Sequence, residues 1–329
     1  MKIGNITLGH NGPVLALAPM AGVTDITFRK ICRSWGAELT VTEMLSAKAI
    51  HYNDCKTAEL CRFSPDEHPA AAQLFGREPE IMAEAAQKLL ENSKLFNRPD
   101  IIDINLGCPM PKITSNGEGS ALMREPELAA KIIAAVVRAV SPVPVTVKLR
   151  SGWDYAHINA VEIARLVEES GAAALTVHGR TRSQMYAPPV DSEVIAAVKR
   201  AVTIPVFANG GVMCAADALE LLEKTGCDGI AVARGAQGRP WIFKEIRSVI
   251  EGRAFTEPTY AERLRAAISH MRACCADKGA RGVLESRGQL SHYIKNIPGA
   301  AQARDAVNRA GTADELEAAL NRLLDSVEE

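Results

Sequence analysis

The chain has no CxxC pair among its eight cysteines, aromatic residues make up only 5% of its 329 residues, and its charges nearly cancel at a net −1. Each shortage removes a class of function. Without paired cysteines neither a zinc site nor a thioredoxin-like redox motif is indicated, so no metal centre is expected and most thiols should be reduced and buried. No apolar run approaches the roughly 18 residues that a membrane span requires. The N-terminal MKIGNITLGHNG is polar and glycine-rich where a secretory leader would be basic and then apolar. A cytoplasmic protein without membrane contact is expected. The near-neutral balance argues against a uniformly basic nucleic-acid binder, so any such contact must come from a local patch.

What the chain does contain is one phrase repeated: a short strand-like run, a loop with Gly or Pro, then an amphipathic helical stretch. The strand-like runs are VLALAPM (14 to 20), LTVTEM (39 to 44), AAAQLFG (70 to 76), IIDINLGCP (101 to 109), VPVTVKLR (143 to 150), ALTVHGR (174 to 180), IPVFANGG (204 to 211) and GIAVARGA (229 to 236). Stretches such as PELAAKIIAAVVRAV and HINAVEIARLVEESG between them carry apolar residues at helical spacing. Eight such units point to a (β/α)8 TIM barrel, with a doubly wound open sheet as the alternative reading of the same alternation. After PWIFKEIRSVIEG the linker RAFTEP changes the rhythm to helices alone. Thr259 with Glu262 and Thr312 with Glu315 have capping-box spacing. The expected organisation is a barrel over 1–252, a small all-helical domain of about four helices over 253–329, and an N-terminal hairpin in KIGNITLGHNGPV that plugs the barrel.

Strand periodicity assigns faces. Ile102, Ile104 and Leu106 share one side of the fourth run and Asp103 and Asn105 the other. Val145, Val147 and Leu149 alternate with Thr146, Lys148 and Arg150, while Leu175 and Val177 alternate with Thr176, His178 and Arg180. Gln73 and Asn209 hold comparable late positions in their runs. Five polar side chains, Gln73, Asn105, Lys148, His178 and Asn209, therefore converge near the carboxyl ends of successive strands, where barrel active sites are built. A lone inward Lys or Asn reads equally well as a hydrogen-bonded structural group, a lone His reads more often as a satisfied core residue, and Asp103, deeper in its strand, reads as structural. Together they call for a polar ligand, because each unpaired buried group would cost on the order of a few kcal/mol. The seventh and eighth runs end in ANGG and ARGAQGRP, where Gly210, Gly211 and Gly235 permit close backbone approach and Arg234 offers a fork of donors. A phosphate is expected there.

The phrases APMAGVTDITFR (18 to 29), TEM (42 to 44), QLFG (73 to 76), DINLGCP (103 to 109), GSALM (119 to 123), VKLRSGW (147 to 153), HGRTR (178 to 182), ANGG (208 to 211) and RGAQGRPWIF (234 to 243) resemble those of the tRNA-dihydrouridine synthase family, its bacterial B-type branch most closely. The resemblance implies an FMN-binding barrel with a helical tRNA-binding domain, reducing the C5=C6 bond of D-loop uridines with NADPH as electron source. By the same resemblance, Pro19, Met20 and Ala21 would line the flavin, and Gln73, Lys148 and His178 would hydrogen-bond its ring or ribityl chain. Asn209, Gly210, Gly211, Ala233 and Arg234 would hold its phosphate. Cys108 would be the catalytic proton donor, and Asn105, Arg150, Arg180 and Arg182 would lie near the flipped base or the RNA backbone. A monomer is expected.

The chain also departs from the family pattern. Where relatives show arginine, lysine, histidine and, three positions on, tryptophan, it has RGQLSHY, with Arg287, Gly288, Gln289 and His292. That substitution would weaken or redirect the RNA grip of this helix. Gly211 stands for a common acidic residue and Ala233 for a common glycine, changes that backbone amides can absorb. From Glu262 to Asn296, Arg263, Arg265, Arg272, Lys278, Arg281, Arg287 and Lys295 face Glu262, Asp277 and Glu285, a local excess of +4 that fits either a phosphate-binding or a merely solvated face. An FMN barrel acting on a free pyrimidine and an RNA-binding module without chemistry are the rival readings.

Overall fold

Eight apolar runs form the eight parallel strands of one closed barrel in a computed structural model that describes residues 1–9, 12–91, 98–187 and 189–328. Strands β1 (Lys2–Ile3) and β2 (Ile6–Thr7) make an antiparallel hairpin, and the barrel follows as β3 (Val14–Leu17), β4 (Leu39–Ser46), β5 (Ala70–Phe75), β6 (Ile101–Leu106), β7 (Val145–Arg150), β8 (Ala174–His178), β9 (Val206–Asn209) and β10 (Gly229–Val232). Strand β10 pairs with both β9 and β3, which closes the sheet and excludes the open alternative. Most strands stop where the runs meet glycine or proline, since neither extends a ladder well. Strand β4 instead runs on to Ser46, with a register shift between Val41 and Met44.

The alternation expected from the sequence sets the two sides of the wall. Ile102, Ile104, Leu106, Val145, Val147, Leu149, Leu175 and Val177 join the outer core with Ile132, Ile133 and Val136 of the helix Pro126–Val140. Each such side chain stabilises the wall by about 1.5–3 kcal/mol through burial. A second apolar cluster fills the barrel floor, where Ile3 and Leu8 of the N-terminal segment meet Val14, Leu39, Ala71, Ile101 and Phe207. The hairpin thus plugs the barrel; His10 and Asn11 of its expected span lie outside the described residues.

The helix Ile242–Ile250 ends ahead of Gly252, whose φ of +67° suits a residue without Cβ. Four helices follow, Tyr260–Lys278, Ala280–Tyr293, Ala300–Arg309 and Ala313–Glu328, sharing a core that contains Leu264, Met271, Leu290, Leu316 and Leu320 and also takes in Trp241. The Thr259 box forms in full, whereas Thr312 accepts from the Glu315 N–H and the Glu315 carboxylate reaches back to Gly311 rather than to Thr312. This bundle is tied to the barrel by Arg62 with Asp277 at 2.7 Å, Arg281 with Glu59 at 3.0 Å and Lys278 with Asp25 at 2.5 Å.

These ties alter the meaning of the local +4 charge. Arg265 pairs with Glu328, Arg272 with Glu317, and Lys278 and Arg281 both with Glu285. Arg263 donates to the carbonyls of Tyr293 and Lys295, and Arg287 donates to that of Ala310. Most of the positive charge counted in the sequence is therefore spent inside the protein. No helix among the described residues is long and apolar enough to cross a membrane.

Candidate active site

A cavity of about 480 Å³ opens at the carboxyl ends of the barrel strands. Its size falls inside the roughly 300–1,000 Å³ usual for small-molecule sites. Pro19, Met20 and Ala21 enter it from the loop after β3, Gln73 from β5, and Asn105 and Cys108 from β6 and its loop. Lys148 and Arg150 come from β7, His178 and Arg180 from the end of β8, and Asn209, Gly210 and Gly211 from the end of β9. Ala233 and Arg234 complete the ring after β10. Of the residues expected at the site, Gly235, where an added Cβ would meet the Val212 carbonyl at 2.3 Å, and Arg182 are absent from this wall. The Arg182 guanidinium lies over the Trp153 ring at 4.5 Å, with Arg124 over the same ring at 5.0 Å.

The barrel register decides which inward side chains meet. Gln73, Asp103 and Thr146 stand level on β5, β6 and β7, and Asn105 stands level with Lys148. Gln73 Nε2 donates to Asp103 Oδ2 at 2.6 Å and Thr146 Oγ1 donates to Asp103 Oδ1 at 2.5 Å. One turn of the wall higher, Asn105 Nδ2 donates to Gln73 Oε1 at 2.8 Å. Asn105 Oδ1 then accepts the N–H groups of Gly107 at 3.0 Å and Cys108 at 2.8 Å. Arg150 holds the same loop from the other side, donating from Nε to the Gly107 carbonyl at 2.8 Å and from Nη1 to the carbonyls of Thr181 and Met185. Much of its donor capacity goes into shaping the pocket mouth.

Burial and mutual charge tune the titratable groups. Burial and the neighbouring Arg150 cation push Lys148 down to about 8, against which the Asp103 carboxylate works. Lys148 borders this cavity and a second, smaller one. Burial, followed by the cations Lys148, Arg150, Arg180 and Arg234, drives His178 well below its ordinary value. The imidazole is therefore neutral, and its Nε2 can accept from Arg180 Nη1 at 3.3 Å. Burial raises the Cys108 thiol, so Sγ keeps its proton at neutral pH. The wall thus gathers four cations around one buried carboxylate and suits an anionic ligand.

Backbone shape adds to this. Gly210 has φ of +107° and Gly211 of +78°, and a Cβ on Gly210 would stand 2.4 Å from His178 Cδ2. Only glycine lets the chain pass there. Asn209 ties the turn to β10, donating to the Ala231 carbonyl at 2.7 Å.

Sequence reasoning missed Tyr186, Met44, Met110 and Gln237, which also line the cavity. Tyr186 lies in a loop without periodicity, yet Arg234 and Arg150 sit over its ring at 4.8 and 5.7 Å. Met44 and Gln237 lay inside the quoted phrases TEM and RGAQGRPWIF without a role. The divergent helix reaches the pocket rim: Gln289 Nε2 donates to the carbonyl of Val23, a lining residue, at 3.3 Å. At the position where the family resemblance leads one to expect a histidine, Gln289 braces a loop.

Comparison with known proteins agrees with this architecture. The family model described as dihydrouridine synthase matches residues 16–328. The chain is 40% identical to tRNA-dihydrouridine synthase B of Pseudomonas aeruginosa, over 95% of this chain and 92% of that one. It is 42% identical to a probable tRNA-dihydrouridine synthase of Rickettsia bellii, over 94% of this chain and 93% of that one. Among solved structures, the crystal structure of TcOYE with pHBA superposes with a TM-score of 0.56 at 11% identity, covering 80% of this chain and 94% of that chain. Histamine dehydrogenase from Rhizobium sp. 4-9 superposes with a TM-score of 0.54 at 13% identity, covering 77% of this chain and 47% of that chain, a likeness of fold alone. The chain belongs to the dihydrouridine synthase family, with bacterial B-type members among its relatives.

Proposed function

We propose that the protein reduces the C5=C6 bond of uridine in the tRNA D-loop, with FMN as cofactor, NADPH as reductant and Cys108 as the proton donor. One observation carries this reading: a protonated thiol stands on the rim of a cavity lined by cations and amide donors, in a chain of this family. The donor set fits FMN. Arg234 and the glycine turn at Gly210 and Gly211 suit a phosphate, and Gln73, Lys148 and the neutral His178 suit a polar ring and ribityl chain. Pro19, Met20, Ala21 and Ala233 add apolar wall, and Asn209 holds the turn in place.

FMN held by Gln73, Lys148, His178 and Arg234 would, with NADPH as reductant, supply the hydride for C6 of the base. Lys148, charged below about pH 8, places a positive charge where negative charge would develop. Cys108 holds the proton destined for C5, on a loop fixed by Asn105 and Arg150. A D-loop base must leave its stack to reach such a pocket, at a cost of a few kcal/mol that stacking inside can offset. Asn105, Arg180 and Arg150 would face that base, and Arg182, stacked outside the wall on Trp153, would meet the RNA backbone. The segment 253–329 would act as a tRNA-binding helical domain appended to a barrel of 1–252, in a cytoplasmic monomer.

Incubation with FMN, NADPH and tRNA from cells lacking the modification tests the proposal by measuring dihydrouridine. Turnover of free uracil or orotate, with none on tRNA, would transfer the site to a free pyrimidine. Colourless protein that binds tRNA without product would reduce it to a binding module.

A further inference from the structure

We infer that Asp103 is a positioning residue: its carboxylate sets the direction of a hydrogen-bond relay, Asp103 to Gln73 to Asn105, that orients both pocket amides and holds the Cys108 loop. The inference deepens the proposed reaction and rests on that reading for its link to FMN.

The direction of the relay is forced from both ends. At the top, Asn105 Oδ1 accepts two backbone N–H groups, so its Nδ2 must turn toward Gln73. Gln73 then has to present Oε1 to Asn105 and Nε2 to its other neighbour. At the bottom that neighbour is Asp103, 5% exposed, with one oxygen receiving Gln73 and the other receiving Thr146. An ionised carboxylate only accepts, so it admits one orientation of Gln73. Each amide is locked by the next, and reversal of any one would set two acceptors or two N–H groups face to face. Such a mismatch in a buried site costs about 1–3 kcal/mol.

The relay has a consequence for the ligand. With Asn105 Oδ1 filled by two backbone N–H groups and Asn105 Nδ2 shared between Gln73 Oε1 and Met44 Sδ, the capacity left over is one N–H and one lone pair of Gln73, and the relay fixes which edge of that amide presents each. The same carboxylate is the counter-charge that works against the burial of Lys148.

The relay can be run backwards by two substitutions. Asn105→Asp alone puts Gln73 between two carboxylates, and no orientation of its amide serves both. Adding Asp103→Asn supplies a donor at the bottom: the new Asn Nδ2 donates to Gln73 Oε1, Gln73 Nε2 donates to the new carboxylate, and that carboxylate accepts from the N–H groups of Gly107 and Cys108. The second substitution also leaves Thr146 an acceptor and keeps one carboxylate beside Lys148. The experiment measures FMN affinity by flavin fluorescence, and the alkylation rate of Cys108 by peptide mass, in the starting protein, both single variants and the double variant. The relay predicts that Asn105→Asp weakens FMN about tenfold or more and changes the alkylation rate at least about threefold, with the double variant recovering most of both, a coupling of the size adjacent residues show. A double variant no better than the product of its singles would overturn the inference. If Asn105→Asp does not accumulate as folded protein, folded and FMN-binding double variant supports the relay and its failure to accumulate rejects it. Alkylation reports on the relay even in protein that takes up no flavin, whereas failure of the starting protein to bind FMN or to modify tRNA strikes only the proposed reaction.

Discussion

The amide N–H of Cys108 donates to Oδ1 of Asn105 at 2.8 Å, so the last inward residue of β6 holds the loop that carries the thiol. The backbone, rather than the sulfur, bears the positioning. Cys108→Ala should therefore leave loop, FMN content and tRNA affinity intact while dihydrouridine formation falls about 10²- to 10⁴-fold, the usual contribution of a positioned acid. Product yield measured at equal flavin content checks this, and an unchanged yield would remove Cys108 from the chemistry.

Lys148 makes the reaction sensitive to pH. Its ammonium is lost as pH rises through about 8, so turnover should decline above that value while thiol protonation, with a raised pKa, persists further. Stability moves the other way. The folded pKa lies below the ordinary 10.5, so between about 8 and 10.5 the unfolded chain binds more protons and flavin-free protein becomes more stable as pH rises. Lys148→Met should abolish that rise, stabilise the flavin-free protein at pH 7 by roughly 1–3 kcal/mol, and weaken FMN retention. Urea titrations across pH separate these effects; a rise that survives the substitution would assign it to another group.

Strand alternation made the inward side of this barrel readable, because a period of two leaves Asn105, Lys148 and His178 one side to face. What alternation does not carry is register. That Asp103 stands level with Gln73 on one side and Thr146 on the other depends on how parallel strands slide past one another, and so a residue read as merely structural proves to anchor the pocket amides. Tyr186 stayed hidden because loops have no period. The basic count in the helical segment left both readings open for a related reason: the anions that pair with Arg265 and Arg272 are Glu328 and Glu317, far along the chain and outside the window counted.

Gly210 offers a sharp test of the phosphate end of the pocket. Its φ of +107° is one that side-chain-bearing residues rarely adopt, and a Cβ would press into His178 at 2.4 Å. Gly210→Ala should thus both strain the turn and displace the imidazole, lowering FMN affinity about 100-fold or more, from roughly 1–3 kcal/mol of backbone strain plus the clash. Flavin titration of the purified variant checks the magnitude; near-normal affinity would show that this turn does not hold the phosphate.

The internal pairing of the helical segment predicts where tRNA affinity does not reside. Arg272 lies against Glu317, with Nε to Oε2 at 2.9 Å, and is already neutralised before any phosphate arrives. Arg182 is differently placed: it stacks on Trp153 beside Arg124, and its buried Nε has no hydrogen-bond partner among the described residues. Arg272→Gln should leave tRNA affinity within about threefold. Arg182→Ala should weaken it at every salt concentration and reduce the slope of log affinity against log salt by about 0.7–0.9, the loss of one phosphate contact. FMN affinity should be unaffected by either change, since neither residue lines the cavity. Binding measured over a salt series distinguishes the two, and a larger loss from Arg272→Gln than from Arg182→Ala would place the RNA on the helices instead of the barrel rim.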